Sequence, residues 1–169
     1  MVPAASTLSA PGIDAPEWTV DCWFNAVDAP TVAGLRGRVI VIEAFQMLCP
    51  ACVSHGLPQT TRVADMFAPS DVAVVGLHTV FEHHEFMGPA ALRVFLHEYR
   101  IRFPVAVDAP GGTSAIPKTM QAYALEGTPT MVLIDRSGYI RAKHFGTVSD
   151  MQLGAEIAVL VKGGQADLR

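Results

Sequence analysis

Apolar residues fall along this chain in two rhythms. Val39–Phe45 (VIVIEAF) is apolar apart from one glutamate and rich in β-branched residues. A run that short and that apolar predicts a strand buried on both faces. Asp71 to Leu77 and Met131 to Ile134 repeat the pattern, and Trp18 to Phe24 and Pro104 to Val107 predict two further short strands. Helical spacing takes over elsewhere. Pro89 to Tyr99 carries apolar residues at positions 91, 92, 95 and 96, one face of a helix. The last segment sets Leu153, Ile157, Leu160 and Val161 on one face, with Ser149 placed to cap it. A helix is also expected from Cys49 to about Phe67, kinked where Pro58 removes a donor. Pro117 to Leu125 predicts a short helix opened by its proline.

Between these elements, Gly34 and Gly37 mark a turn, and His78 to Gly88 reads as a polar, histidine-rich loop. Asp135-Arg136-Ser137-Gly138 predicts a second turn that returns Tyr139 to Phe145 as a hairpin partner. Strands alternating with helices imply parallel pairing through crossovers, while the last two strands pair antiparallel. The expected fold class is α/β, a central mixed sheet flanked by helices.

Length and composition narrow the classes. The 169 residues fit one domain, and half of them are hydrophobic, enough for a packed core. The net charge of -4 gives no basic excess for a phosphate backbone, so nucleic acid is not an expected partner. No apolar run approaches the roughly 18 residues that a bilayer span needs. Residues 1–16 (MVPAASTLSAPGIDAP) lack a basic segment followed by a continuous apolar one. They read as a flexible N-terminal arm ahead of a single domain over 17–169, and the expected location is cytoplasmic.

Three cysteines do not suit a secreted disulfide framework. Two of them form Cys49-Pro50-Ala51-Cys52, between a predicted strand and a predicted helix. A cysteine at a helix start faces unpaired N–H groups and the positive end of the helix dipole. Both favour thiolate, and the first cysteine of such motifs has a pKa from about 3.5 to about 7. The two-residue spacing lets the second sulfur reach the first, so one thiol attacks a disulfide and the other resolves the mixed disulfide. The alternative is half of a zinc site, for which the sequence supplies His55 but no second CxxC. Glu43, inside the apolar run, is the other candidate. A carboxyl stripped of water tends to go neutral and can then exchange a proton near physiological pH. The alternative is a strand-edge glutamate that reaches solvent.

Thr128-Pro129 opens the run Thr130-Met131-Val132-Leu133-Ile134. A proline there is unusual, because it takes a donor from the ladder. Strand, CxxC helix, strand, helix, then Thr-Pro before a strand and hairpin resembles the thioredoxin-like superfamily, and its TlpA-like redoxin branch in particular. The resemblance spans Trp18 to Lys162. It implies a thioredoxin-like fold with an N-terminal strand extension and an insertion between the CxxC helix and the cis-proline strand. It implies thiol–disulfide oxidoreductase activity, with Cys49 as nucleophile, Cys52 as resolving thiol and Pro129 as a cis-proline beside them. Glu43, six residues before Cys49, matches the buried carboxylate that handles the second cysteine's proton. Pro50, Thr128 and Pro129 would then border the substrate. The partners implied are protein or small-molecule disulfides and dithiols with a redox partner. No dissociable cofactor and no metal are called for, since the CxxC is itself the redox centre.

This chain departs from that pattern in places. Leu48 stands where tryptophan usually precedes the motif, glutamate replaces aspartate or asparagine at 43, and Pro58 lies nine residues after Cys49, one further than expected. A peroxiredoxin-like thiol peroxidase is a rival on the same fold. Its P-x-x-x-T-x-x-C signature is missing, with Ile42 and Gln46 at the two positions. A metal-binding or interaction module on the same scaffold is the non-enzymatic rival. Glu82-His83-His84-Glu85 is a weak chelate, because adjacent histidines diverge on regular structure. It reads as a polar loop at the strand ends that shapes access. Cys22 reads as a small half-buried apolar residue.

Overall fold

A computed structural model describes residues 12–163. Seven strands form one mixed sheet: β1 (Ile13–Asp14), β2 (Val20–Phe24), β3 (Val39–Phe45), β4 (Val72–His78), β5 (Val105–Asp108), β6 (Thr130–Ile134) and β7 (Tyr139–Phe145). Their order across the sheet is β1-β7-β6-β3-β4-β5-β2. β3, β4 and β5 run parallel, and β6, β7 and the two outer strands pair antiparallel. The helices are α1 (Leu57–Met66), α2 (Pro89–Glu98), α3 (Lys118–Ala122) and α4 (Asp150–Gly163).

β3 is central, and all seven of its residues are buried. That is why the segment tolerates almost no polar residue. Its alternate side chains feed two cores. Val39, Val41 and Phe45 face α1, α2 and α4 through Leu57, Val63, Leu92, Leu96, Leu153, Ile157 and Leu160. Ile40, Ile42 and Ala44 face the other side, where Tyr123, Trp18 and Trp23 pack with the chain leading into β2. Leu153, Ile157 and Leu160, the predicted face of α4, are buried, each side chain contributing roughly 2 kcal/mol by its removal from water. Ser149 caps this helix, its hydroxyl accepting from the Gln152 N–H at 3.2 Å.

The expected arm gives way to structure at its C-terminal end. Ile13–Asp14 pairs with Tyr139 and Ile140 of β7. The Ala15 N–H donates to the Gly138 carbonyl at 2.9 Å, and the Tyr123 hydroxyl donates to the Pro16 carbonyl at 2.7 Å. The edge of β7 offers unpaired backbone, and this short segment satisfies part of it. The rest of the expected arm, residues 1–11, lies outside the described residues.

Two further boundaries differ from expectation. His78 is the last residue of β4, not the first of a loop, and is 1% exposed. The short helix after β5 is confined to Lys118–Ala122. Asp108 caps it, accepting from the Thr119 and Met120 N–H groups at 2.8 and 2.9 Å.

The kink lies upstream of Pro58. Cys52–Gly56 forms a π-turn, closed by the Leu57 N–H donating to the Cys52 carbonyl five residues back. A π-turn is a one-residue insertion in an α-helix. It accounts for Pro58 standing one position later than the resemblance implied. It also opens the helix where the proline ring would press on the carbonyl of Ser54.

Candidate active site

Cys49 and Cys52 sit at the C-terminal end of β3, where the chain turns from strand into helix. They are joined by a disulfide, with Cα atoms 5.2 Å apart. Cys52 is fully buried and Cys49 is partly exposed. The Cys52 N–H lies 3.2 Å from the Cys49 sulfur. In the reduced protein that donor would favour a thiolate at Cys49. Pro50, exposed, occupies the helix start between them and forfeits no bond there, because first-turn N–H groups have no helical partner.

The Thr128–Pro129 peptide bond is cis. The Thr128 carbonyl is 3.6 Å from the Cys49 sulfur, so the segment expected beside the motif is in contact with it. Pro129 is buried and Thr128 half-buried. The Pro129 carbonyl accepts from the Gly146 N–H at 2.9 Å, which ties this segment to the end of β7. Phe145, exposed, lays its ring against Gly127. A side chain at Gly127 would meet that ring at 2.9 Å, so the ring would have to shift to admit one.

Glu43 is 1% exposed. The strand-edge alternative therefore fails: the residue lies on the central strand, paired with Gly76 on one side and Met131 on the other. Its side chain shares the helix-covered face with Phe45 and rests against the π-turn. A methyl group at Gly56 would collide with Glu43 Oε1 and stand 3.2 Å from the Pro129 ring. Glu43, Gly56 and Pro129 thus meet one turn beyond Cys52. Oε1 is buried without a hydrogen-bond partner among the described residues, and burial pushes the carboxyl up to about 8. The lone polar residue in VIVIEAF already pointed to such a group.

Sequence reasoning missed two residues here. Gln46 is 1% exposed. Its backbone carbonyl accepts from the Cys49 N–H at 3.2 Å. Its side-chain carbonyl accepts from the Phe81 N–H at 3.2 Å, and its amide nitrogen donates to Glu82 Oε1 at 3.3 Å. The polar loop predicted at the strand ends is therefore tied to the turn that carries the CxxC. His78 is the second. It packs on Phe45 with ring centroids 5.2 Å apart. Neither ring nitrogen has a partner among the described residues, and burial lowers its pKa to about 4. A histidine at the end of an apolar run gives no hint of burial by itself.

Cys22 is a free, partly buried thiol on β2, raised in pKa chiefly by burial, and far along the sheet order from β3. Among the described residues no three His, Cys, Asp or Glu side chains gather as a metal site would require, and no helix is long and apolar enough to cross a membrane.

A mixed sheet with a CxxC at a helix start and a proline segment against it defines the protein as a thiol–disulfide oxidoreductase of the thioredoxin-like fold. Within that class the chain belongs to the Redoxin family, whose family model matches residues 25–157. Among solved structures, it resembles a thioredoxin-like superfamily protein with 58% identity, over 88% of this chain and 96% of that one, at a TM-score of 0.87. It is also similar to a thiol-disulfide isomerase from Corynebacterium glutamicum, with 48% identity over 90% of this chain and 97% of that one, at a TM-score of 0.84. A thioredoxin-like protein solved in its oxidized form shares the fold at 22% identity, covering 90% of this chain and 97% of that one with a TM-score of 0.74. No curated protein matches the chain.

Proposed function

We propose that this protein exchanges dithiol for disulfide through Cys49 and Cys52, with polypeptide or small-molecule disulfides as substrates. The observation that carries the reading is the asymmetry of the pair: Cys49 is partly exposed beside a backbone N–H, and Cys52 is fully buried. The Cys49 thiolate attacks one sulfur of the substrate, forming a mixed disulfide and expelling the other sulfur as a thiolate. Cys52, deprotonated, then attacks Cys49, closes the protein disulfide and expels the second substrate thiolate. Two electrons pass from the protein dithiol to the substrate. The reverse sequence oxidises a substrate dithiol.

Glu43 is the proposed proton store. Held neutral or charged at small cost near pH 8, it accepts the Cys52 proton as that thiol attacks, and returns it when the disulfide is reduced again. Thr128 is the proposed docking strand. Its N–H has no intramolecular partner among the described residues, and its carbonyl touches the Cys49 sulfur. An extended substrate can pair there as an added strand, with Pro50, Pro129, exposed Leu48 and Phe145 around it. The loop from Glu82 to Glu85 tunes which protein partners reach the sulfurs. Peroxidase chemistry draws no support from Gln46, whose amide is already engaged by the loop.

The test is trapping. Cys52→Ser should accumulate a mixed disulfide on Cys49 when offered a disulfide substrate, seen as an intact-mass increase that dithiothreitol removes. Cys49→Ser should form none at Cys52, read by peptide mass so that an adduct on the free thiol Cys22 is told apart. A mixed disulfide on Cys52 in the Cys49→Ser protein, at a similar rate, would reverse the assignment.

A further inference from the structure

We propose that Glu82, held by the buried side chain of Gln46, selects substrates by charge, favouring cationic over anionic disulfides at the redox centre. The inference rests on the thiol–disulfide exchange proposed above. Gln46 spans three connections at once: to Cys49 through its backbone carbonyl, to the Phe81 N–H through its side-chain carbonyl, and to Glu82 Oε1 through its amide nitrogen. The first two hold the start of the loop onto the turn that carries Cys49. The third fixes one carboxylate of that loop in place, while the rest of the Glu82 side chain stays exposed. Glu82 is thus the loop carboxylate that a buried side chain tethers beside the CxxC turn.

The other charged or titratable residues of the loop are His83, His84 and Glu85, all exposed and without such an anchor among the described residues. Arg and Lys are absent from residues 39–61, and also from residues 63–92 and 119–135. Those segments cover the strand ends, the CxxC turn, the loop and the Thr128–Pro129 segment. No fixed cation from them offsets Glu82. The cations of β7 are engaged elsewhere, Arg141 with Asp135 and Lys143 with the Tyr123 and Ala124 carbonyls. An incoming disulfide therefore meets the Glu82 carboxylate beside the sulfurs, and within about 10 Å an exposed charge is only partly screened at ordinary ionic strength.

Three probes carry this test with one chemistry. Cystamine is cationic, bis(2-hydroxyethyl) disulfide is neutral and glutathione disulfide is anionic. The full-length protein is reduced, freed of reductant and mixed with each probe in a single turnover. Acid quenching, alkylation and mass measurement then give the rate at which Cys49 and Cys52 are oxidised. The cystamine-to-glutathione-disulfide rate ratio should fall about three- to tenfold in Glu82→Gln, and added salt should compress the ratio more in the wild type than in that variant. Gln46→Met keeps the side-chain volume but frees the loop, and should lower the ratio in the same direction. Glu85→Gln should change it less than Glu82→Gln does. An unchanged ratio in Glu82→Gln, or an equal change in Glu85→Gln, overturns the selection while the neutral probe still reports exchange. Failure of the neutral probe to oxidise the wild-type pair overturns the exchange reading and this inference together.

Discussion

Replacing Glu43 by glutamine should remove a pH dependence of folding that the wild type carries. Burial raises this carboxyl from 4.5 to about 8, so the folded protein holds a proton over a range in which the unfolded chain has released it. Stability from this group is complete below pH 4.5 and is lost as pH climbs to about 8. At about 1.4 kcal/mol per pH unit, the loss across that window is roughly 5 kcal/mol. The figure agrees with the several kcal/mol that a carboxylate costs when stripped of water without a partner. Glutamine has nearly the same shape and does not titrate. The assay is urea unfolding of the oxidised protein, wild type and Glu43→Gln, from pH 5 to pH 9. The difference in unfolding free energy should move steadily in favour of glutamine up to about pH 8 and then level off. Subtracting the variant cancels every other titrating group, so a flat difference across this range would refute a buried, proton-holding Glu43.

Three further outcomes follow from the packing. Gly56→Ala should lower stability by about 1–3 kcal/mol, since its methyl collides with Glu43 Oε1; combining it with Glu43→Ala should recover most of the loss in thermal unfolding. His78 is held neutral down to about pH 4, against 6.5 when free, so its contribution is present above pH 6.5 and is lost as pH falls towards 4. His78→Phe should therefore flatten acid-side stability by about 3 kcal/mol between those pH values, measured by urea titration. Replacing His83 and His84 by alanine should alter rates with protein disulfides but leave reduction of a neutral small disulfide within about twofold, read by stopped-flow.

Much of this fold is written in local pattern. The run from Val39 to Phe45 is apolar because β3 is central and covered on both faces, and its one glutamate stood out against that background. The face formed by Leu153, Ile157 and Leu160 is buried as its period required. The CxxC could be placed at a helix start from the strand before it alone. What stayed hidden depends on partners distant in sequence. Ile13–Asp14 is too short to show a period and is a strand only because β7 presents an open edge. His78 reads as loop because it is polar, yet Phe45 and its place at the end of β4 bury it. Gln46 was legible only as a missing threonine. Its actual partners, Phe81 and Glu82, lie 35 and 36 residues away. The π-turn shifted the helix register by one residue, a change that spacing from Pro58 registers but cannot locate.

Exchange by this route needs Cys49 as the attacking thiol and Cys52 as the shielded one. Competitive alkylation of the reduced wild type at neutral pH, with each cysteine followed by peptide mass, tests it most directly. Cys49 should react at least tenfold faster than Cys52, and its rate should stay high below the pH at which a free thiol, with a pKa of about 8.5, loses its thiolate. Faster labelling of Cys52 would make it the nucleophile, and a Cys49 rate that follows pH like a free thiol's would show that Cys49 is not activated.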